Sequence, residues 1–554
     1  MKLIKQKYFW FIGIIALFTL YAFSDSTYFK LSRNFELFVN LYKEINRSYV
    51  DDVQPAGLMR NAIESTLKKL DPYTNFYSEA VIEDSRLQRA GGQGDIGITL
   101  IEKDKHFYIE TVLTDQPADK AGLRPGDEIV SIEGKTLQDK TLEDVNLAIK
   151  GQPQTVLKIQ VQAYKSNQPK AYEILREEIT PESVTYSQMV NDTVAYISLS
   201  SFTQNCGEFV AKEYEKLQKD NPNLKYLVFD LRYNGGGLLK EAITVSNIFV
   251  NKNVAVVSTR GKIEEWNKTY TTNADPLALD IPLVVLINSR SASASEIVSG
   301  VMQDLDRGVI VGQRSYGKGL VQQTREIGET GYKAMLKLTV AKYYIPSGRC
   351  VQAVDYSGRY TDAGAHEIPD SLRSAFKTAN GRTVYDNSGV TPDIFIENLQ
   401  NQSLVQQLQK ELVLFNFVNE YVANHENIAP AESFQFTDAD FKQFINFAQQ
   451  QHFQFYTQTD SLVSLLDTVA TYETYYPSVS KNLDNLREKL KTLHGKEIQK
   501  YEPMLRNMLK ESIIERYYGQ SSKLATGIQD DAYIQEAVKL FADMPRYNKI
   551  LNKK

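Results

Sequence analysis

Three closely spaced serines lie where a strand is predicted to give way to a helix. Residues 282–287 form an unbroken apolar run, typical of a strand that is buried on both faces. Ser291, Ser293 and Ser295 follow, and Glu296 opens a segment whose apolar residues recur at helical spacing. The serines therefore lie at a strand-to-helix turn, where backbone N–H groups have no helical partner. A serine hydroxyl at such a turn could act as a nucleophile.

A serine nucleophile needs a base, because its hydroxyl is weakly nucleophilic at its ordinary pKa. Histidine is the usual base, but no histidine lies between Thr180 and Gln323, which disfavours a Ser-His-Asp triad without excluding it. Lys318 is the alternative, provided that desolvation or a nearby cation makes its neutral form accessible. Gly317 and Gly319 would let the backbone approach closely around it. The five histidines are His106, His366, His425, His452 and His494.

The motif SASASE (291–296), followed by GKG (317–319) and VQQ (321–323), closely resembles the carboxy-terminal processing (tail-specific) proteases. This family consists of Ser-Lys peptidases that carry a PDZ domain. The resemblance implies an α/β protease core of the crotonase/Clp-like type and no metal or organic cofactor. It also implies three roles: Ser293 as nucleophile, Lys318 as general base and Gln322 as the residue that orients the lysine.

A second glycine-rich turn follows another predicted buried strand. The sequence DLRYNGGG (230–237) is similar to the family's DLR-x-N-[PG]-G-G element, whose glycine amide helps to form the oxyanion hole. The resemblance leaves Gly235, Gly236 and Gly237 open as the donor, and Gly236 is our choice. The backbone N–H of Ala294, next to the proposed nucleophile, would be the second donor.

Residues 89–178 resemble a PDZ domain. A glycine cluster leads into an alternating strand, and AGLRPGD (121–127) is similar to the PDZ helix-turn-strand element. The first stretch resembles the loop that binds the terminal carboxylate of a peptide through backbone N–H groups, with the peptide then adding as a strand to a sheet edge. The implied loop residues are Gly94, Ile96, Gly97 and Ile98.

We therefore predict an α/β multidomain protein with a helical amino-terminal region, a PDZ domain, a serine protease core and an all-α carboxy-terminal domain. Length and apolar content allow several domains. The resemblance ends near residue 398, so the last region has no assigned role. The predicted ranges are 1–24 (signal peptide or membrane anchor), 25–88 (helical), 89–178 (PDZ), 179–399 (protease core) and 400–554 (helical).

The amino terminus has the character of an export signal. Lys2, Lys5 and Lys7 precede an uncharged run from Tyr8 to Phe23. The segment could be removed after export or retained as a single membrane anchor. Either outcome predicts a periplasmic or otherwise extracytoplasmic catalytic region.

Composition narrows the list of partners. The net charge is −5 and no long basic block is present, so nucleic acid is not an expected partner. Cys206 and Cys350 are too few for a disulfide framework, and two buried thiols are expected. A homo-oligomer is an open alternative to a monomer.

The predicted function is a serine endopeptidase that cleaves exported proteins near their carboxyl ends, with the PDZ domain holding accessible substrate termini. Two alternatives belong to other classes. One is a non-catalytic PDZ scaffold on a decayed protease fold. The other is a nucleotide-binding protein, because GQRSYGKG (312–319) is almost a phosphate-binding loop but has Gly319 in place of the Ser or Thr that would hold Mg²⁺.

Overall fold

The computed structural model describes residues 29–77, 94–179, 183–327, 334–360, 364–397 and 403–553. The chain divides into two units, of which the first ends at Phe76 and the second begins at Tyr77. The predicted signal peptide or anchor at 1–24 lies outside the described residues. Within the described part of the chain, no helix combines the length and the apolar character needed to cross a bilayer.

The first unit is helical, as predicted. Residues 29–48 and Pro55–Lys68 form helices, and strand β1 (Asn75–Tyr77) follows. Asp71 stabilises the turn between the second helix and β1. Its Oδ1 accepts the backbone N–H groups of Tyr73 (2.8 Å) and Thr74 (2.9 Å). An aspartate that bonds the backbone two and three residues ahead is a common way to end a helix and start a turn.

The PDZ domain is an antiparallel sheet with the strand order β3-β4-β5-β7-β8, so that β3 is an edge strand. Helix Leu142–Ile149 begins with a capping box between Thr141 and Asp144 and buries Val145 and Ile149. A short helix, Pro117–Lys120, precedes the AGLRPGD turn. The strands are β2 (Gly94–Asp95), β3 (Ile98–Lys103), β4 (His106–Val112), β5 (Glu128–Ile132), β6 (Lys135–Thr136), β7 (Val156–Gln162), β8 (Lys170–Leu175) and β9 (Glu177–Glu178).

The protease core is built on a second sheet with the order β10-β11-β12-β15-β16-β23. All neighbours are parallel except β10, which runs antiparallel to β11. The carboxyl ends of β12, β15 and β16 therefore meet at one edge of the sheet. Three segments begin there: the glycine turn (231–237), the serine turn (288–293) and the lysine loop (313–319). The strands are β10 (Val184–Met189), β11 (Val194–Leu199), β12 (Tyr226–Asp230), β15 (Leu283–Ile287), β16 (Gly308–Gly312) and β23 (Ile394–Phe395).

A third, antiparallel sheet carries the residues that follow Lys318. It includes β13 (Ala255–Gly261), β14 (Lys268–Thr271), β17 (Leu320–Ile327) and β18 (Ala334–Tyr344), with β17 paired to β18. Two short antiparallel pairs lie farther along the chain: β19 (Val354–Asp355) with β20 (His366–Glu367), and β21 (Ala375–Lys377) with β22 (Thr383–Tyr385).

Helices cover the parallel sheet on both faces. Cys206–Asp220, Leu239–Phe249 and Ala294–Asp304 pack on one face. The other face is covered by Ala532–Ala542 and Met544–Ile550, the last helices of the chain. The predicted core range, 179–399, therefore supplies only one of the two helical layers of the protease, and the range 400–554 supplies the other. Cys206 and Cys350 are buried and free, as expected.

The contact between the last helices and the sheet is both apolar and polar. Ile534 and Phe541 pack with Val284 and other residues of the buried sheet face. The Tyr547 hydroxyl accepts the backbone N–H of Leu283 (3.0 Å) and donates to its carbonyl (3.1 Å). Because these side chains have almost no exposed surface, removal of the last helices would leave an apolar sheet face in water.

The rest of the carboxy-terminal region is all-α, as predicted, with its own aromatic core around Phe417 and Phe444. The longest helix has a break at Gly519, where φ is 81°. The helices are Ser403–Lys410, Val413–Asn424, Asp438–Gln450, Gln458–Tyr472, Tyr476–Lys500 and Glu502–Asp530.

Candidate active site

Ser293 lies in the turn that joins β15 to helix Ala294–Asp304, where the sequence placed it. Its backbone has φ 57° and ψ −111°, a conformation that residues with a side chain rarely adopt. Such strain persists only where the surrounding structure enforces it, and it is frequent at nucleophilic serines on sharp strand-to-helix turns. The sequence predicts the turn but not the strain.

The carboxylate of Glu296 connects the serine turn to the lysine loop. Its Oε2 accepts the backbone N–H groups of Ser293 (2.9 Å) and Lys318 (2.8 Å). Its Oε1 accepts the N–H of Gly317 (2.6 Å) and the hydroxyl of Ser315 (2.6 Å). Glu296 is fully buried, and burial raises the pKa of its carboxyl while the hydrogen bonds that it accepts oppose the rise. One buried group thus holds both proposed reacting residues.

The phenol of Tyr343 makes a second connection between the same two residues. Its hydroxyl lies 3.1 Å from the carbonyl oxygen of Ser293 and 2.6 Å from that of Lys318, so its single proton is shared between two acceptors. Tyr343 comes from β18 and is buried. The backbones of Ser293 and Lys318 are therefore held together through both their N–H groups and their carbonyls.

The glycine turn after β12 packs directly on the serine turn. Gly236 has φ 99°, and a Cβ placed on it would lie 2.8 Å from the Cβ of Ser293 and 3.0 Å from the nitrogen of Ala294. Only glycine fits there. The structure thus brings together Gly236, Ser293 and Ala294, and Gly236 is the turn glycine that lies against the serine. Its own N–H donates to Asn234 Oδ1 (2.9 Å).

Asn234 joins the two turns. Its carbonyl accepts the N–H of Ala292 (3.0 Å) and the hydroxyl of Ser295 (2.8 Å). Its side-chain amide donates to the Leu199 carbonyl at 2.8 Å, and the residue is fully buried. A satisfied polar network of this kind fixes one geometry in the core.

The lysine loop is enclosed by the segment around Gln352. The N–H of Gly319 donates to Gln352 Oε1 (2.8 Å), and a side chain at Gly317 would collide with Ala353. Gln322, the predicted orienting residue, lies on β17 and donates from Nε2 to Thr339 Oγ1 on β18 (3.3 Å). Its action on the amine of Lys318 stays a prediction.

The predicted PDZ loop residues divide into two groups. The N–H groups of Ile96 and Gly97 both donate to the carboxylate of Asp95, at 2.6 and 3.1 Å, and Ile98 begins the edge strand β3. Gly94 is separate, because it exchanges backbone hydrogen bonds with Gly151. The amides of Ile96 and Gly97 thus donate to a side-chain carboxylate, whereas the N–H of Gly94 donates to a backbone carbonyl.

Comparison with known proteins agrees with this architecture. Residues 193–357 match the family described as Peptidase family S41 and residues 84–162 match the PDZ domain. The chain is 33% identical to the carboxy-terminal-processing protease of Bartonella bacilliformis over 332 residues, which are 60% of this chain and 74% of that protein. It is 30% identical to a probable CtpA-like serine protease of Staphylococcus haemolyticus over 388 residues, 69% of this chain and 76% of that protein.

The chain belongs to the carboxy-terminal-processing protease family. It is a serine-type peptidase with a PDZ domain. Among solved structures, the photosystem II D1 C-terminal processing protease is similar, with 23% identity and a TM-score of 0.37 over 65% of this chain and 92% of that one.

The helical region that follows the protease core also matches a known family. Residues 404–541 match a family described as the C-terminal helical domain of probable PDZ-proteases. The expectation that the resemblance ends near residue 398 is therefore wrong. The matched range includes most of helix Ala532–Ala542, which packs on the protease sheet.

Neither alternative function is supported. The match to Peptidase family S41 and to named proteases supports a serine-type peptidase over a non-catalytic scaffold. In the segment that resembles a phosphate-binding loop, the N–H groups of Gly317 and Lys318 donate to Glu296 and that of Gly319 donates to Gln352. The next residue, Leu320, begins a strand rather than the helix that a phosphate-binding loop requires. Within the described ranges, no group of three or more His, Cys, Asp or Glu residues is placed to hold a metal ion.

Three positioning residues were missed from the sequence: Glu296, Tyr343 and Asn234. A signal existed for Glu296, because Ser293 and Glu296 have the spacing of a capping box, in which the acidic side chain bonds the N–H of the serine. Nothing in the local pattern indicates that the same carboxylate reaches Lys318.

We predict that Glu296→Gln lowers kcat by at least about 100-fold, since a small displacement of reacting groups has an effect of that size. The amide keeps one acceptor oxygen but turns an NH₂ group toward N–H donors, so the free energy of unfolding should also fall by about 1.5–3 kcal/mol. Peptide hydrolysis and urea denaturation measure the two effects. Glu326→Gln, an exposed change on β17, is the matched control and should alter neither. Unchanged kcat in Glu296→Gln would contradict the positioning role.

Proposed function

We propose that this protease hydrolyses peptide bonds through an acyl-enzyme on Ser293, with Lys318 as the general base. The observation that carries the proposal is that Glu296 and Tyr343 each bridge the backbones of Ser293 and Lys318. Two residues that are held in this way can present a hydroxyl and an amine to each other without the entropic cost of finding the geometry.

In the proposed first step, the neutral amine of Lys318 takes the hydroxyl proton of Ser293 while Oγ attacks the scissile carbonyl. The ammonium then returns the proton to the leaving amine as the C–N bond breaks. A water molecule, deprotonated by the same amine, attacks the ester, and Ser293 regains its proton. Gln322 would orient the amine without adding a negative charge that favours its protonated form.

The oxyanion would be bound by the N–H groups of Gly236 and Ala294. Gly236 packs on both Ser293 and Ala294, which supports its assignment over Gly235 and Gly237. Its N–H donates to Asn234 in the free enzyme. A developing oxyanion is a stronger acceptor than a neutral amide oxygen, so we propose that this N–H turns to, or is shared with, the oxyanion during reaction.

The substrate end would be held by the PDZ domain. The amides of Ile96 and Gly97 already bind a carboxylate, that of Asp95. Among the described strands β3 pairs only with β4, so its other edge can accept a peptide as an added strand. We propose that the terminal carboxylate of a substrate takes the place of the Asp95 side chain. The substrates are then proteins or peptides with accessible, weakly structured carboxyl ends.

We further propose that residues 1–24 direct export and are either removed or kept as a membrane anchor, so that the enzyme acts in the periplasm or outside the cell. The basic start and the apolar run support this location. Resistance of the protein to a protease added outside the cytoplasmic membrane would contradict it. A homo-oligomer stays a prediction.

Lys318→Ala should lower kcat/KM for a peptide substrate by at least about 10³-fold, because it removes the proposed base for both proton transfers. Peptide binding to the PDZ domain and the melting temperature should stay close to those of the parent. Lys342→Ala, an exposed lysine on the neighbouring strand β18, is the control and should cleave like the parent. Substantial cleavage by Lys318→Ala would rule out Lys318 as the base.

Cleavage should depend on the chemistry of the substrate's carboxyl terminus. A peptide with a free carboxylate should be cleaved at least about tenfold faster, at low concentration, than the same peptide with a terminal amide, since tenfold corresponds to one charge-assisted hydrogen bond. Gly97→Ala should remove this preference, because a Cβ there would lie 2.6 Å from Gln116 Cβ.

Gly122→Ala is the matched control for that variant. Gly122 also has a positive φ, 85°, but a Cβ there would meet nothing within 4 Å, so the preference for the free carboxylate should remain. Equal cleavage of the two peptides by the parent enzyme would contradict carboxylate capture.

A further inference from the structure

Asp531 lies where the last helices meet the protease core. Its Oδ1 accepts the N–H groups of Tyr533 (2.8 Å) and Ile534 (3.2 Å), which caps helix Ala532–Ala542. Its Oδ2 pairs with Nη1 of Arg232 at 2.7 Å. One carboxylate therefore has two partners, a helix end in the carboxy-terminal region and a guanidinium in the glycine turn.

Arg232 is held on three sides. Its Nε and Nη2 donate to the carboxylate of Asp230, at 2.6 to 3.1 Å, and its backbone N–H donates to the same carboxylate at 2.8 Å. Its guanidinium stacks on the ring of Tyr533, 4.6 Å from the ring centre. The third side is the ion pair with Asp531. Planar, bidentate pairing of this type fixes both position and direction.

The turn that Arg232 begins is the one that carries Gly236. Tyr233 has φ 61°, and its N–H donates to Asn288 Oδ1 at 3.0 Å. Asn234 then bonds the serine turn through Ala292 and Ser295. Arg232 is thus the charged anchor of a strained segment that ends beside Ser293.

The buried guanidinium of Arg232 is stabilised by two carboxylates, those of Asp230 and Asp531. Burial alone would lower the pKa of Arg232, but Asp230 and Asp531 outweigh burial and hold the pKa well above its ordinary value. The guanidinium therefore stays charged in a site where only 13% of its side chain is exposed. Without Asp531, one face of a buried cation loses its acceptor, and the least costly response is a shift of the turn toward solvent or another acceptor.

We propose that Asp531 is a positioning residue for peptide hydrolysis: through Arg232, it holds the glycine turn in the conformation that presents Gly236 to the oxyanion. This inference rests on the proposed function. It assigns the carboxy-terminal region a direct part in the active site, in addition to its part in covering the sheet.

The alternative is a purely structural role, in which Asp531 serves only as a helix cap. Asp531→Asn separates the two roles, because asparagine caps a helix about as well as aspartate but carries no charge. A role in capping alone predicts little change in this variant. The positioning role predicts a catalytic defect in a well-folded protein.

Asp531→Asn should lower kcat by about 10–100-fold, with KM changed by less than about twofold. The displaced glycine turn would misplace the Gly236 amide, which binds the oxyanion of the transition state and not the ground-state substrate. The melting temperature should stay close to that of the parent. Asp531→Glu, which restores the carboxylate, should recover most of the lost kcat. Asp543→Asn is the control, since Asp543 caps the next helix by accepting the N–H of Arg546 (3.1 Å) and should leave kcat unchanged.

A tetrahedral analogue gives a readout that a purely structural role would not change. A peptide aldehyde forms a hemiacetal with the serine and places an oxyanion in the hole, whereas the corresponding peptide amide binds without one. In Asp531→Asn, inhibition by the aldehyde should weaken by about the same factor as kcat/KM falls, while binding of the amide is unchanged.

Parental kcat in Asp531→Asn, or equal weakening of aldehyde and amide binding, would overturn the inference. The Lys318→Ala variant is measured in the same series. If Lys318→Ala still cleaves peptides, the proposed Ser-Lys mechanism fails. If Lys318→Ala is inactive and Asp531→Asn behaves like the parent, only the role of Asp531 fails.

Discussion

The active site depends on one buried carboxylate that accepts hydrogen bonds from two loops. Glu296 is fully buried, and its two oxygens accept the N–H groups of Ser293, Gly317 and Lys318 and the hydroxyl of Ser315. A buried carboxylate is costly unless its acceptor sites are filled, so the two loops and the carboxylate stabilise each other. This mutual dependence sets the relative position of the serine and the lysine, and it also explains how the strained backbone of Ser293 is maintained.

The parallel sheet carries this arrangement and needs both of its helical layers. The turns after β12 and β15 and the loop after β16 meet at one edge because the strands are parallel neighbours. Helix Ala294–Asp304 lies on one face and the last helices of the chain lie on the other. The second layer contacts the glycine turn through the ion pair of Asp531 with Arg232. A fragment that ends near residue 400 would lack both the cover of the sheet and this contact, so it would not report on catalysis by the protease core alone.

The sequence predicts those site residues that lie in short motifs with a characteristic spacing. Ser293, Lys318 and Gly236 were predicted from the resemblance of their motifs to those of a known family. A serine at a strand-to-helix turn is by itself equally compatible with a helix cap, and a run of glycines with a tight turn. The PDZ domain and the helical regions follow from glycine motifs and helical periodicity. Contacts between distant segments are not encoded locally. An apolar stripe shows that a sheet face is buried but not what covers it, and no pattern indicates that Asp531 pairs with Arg232. Gly94, placed in the carboxylate loop by sequence, instead pairs with Gly151.

A double-mutant cycle tests the central claim, that Glu296 acts by holding the reacting pair. The rate of Ser293 acylation by a fluorophosphonate is measured in the parent, in the two single variants at Glu296 (to Gln) and Lys318 (to Ala), and in the double variant. If Glu296 works through the pair, it has little left to position once the lysine is gone, and the double variant should be no more than about fivefold slower than the Lys318 variant alone. Independent, fully multiplicative losses would contradict the account.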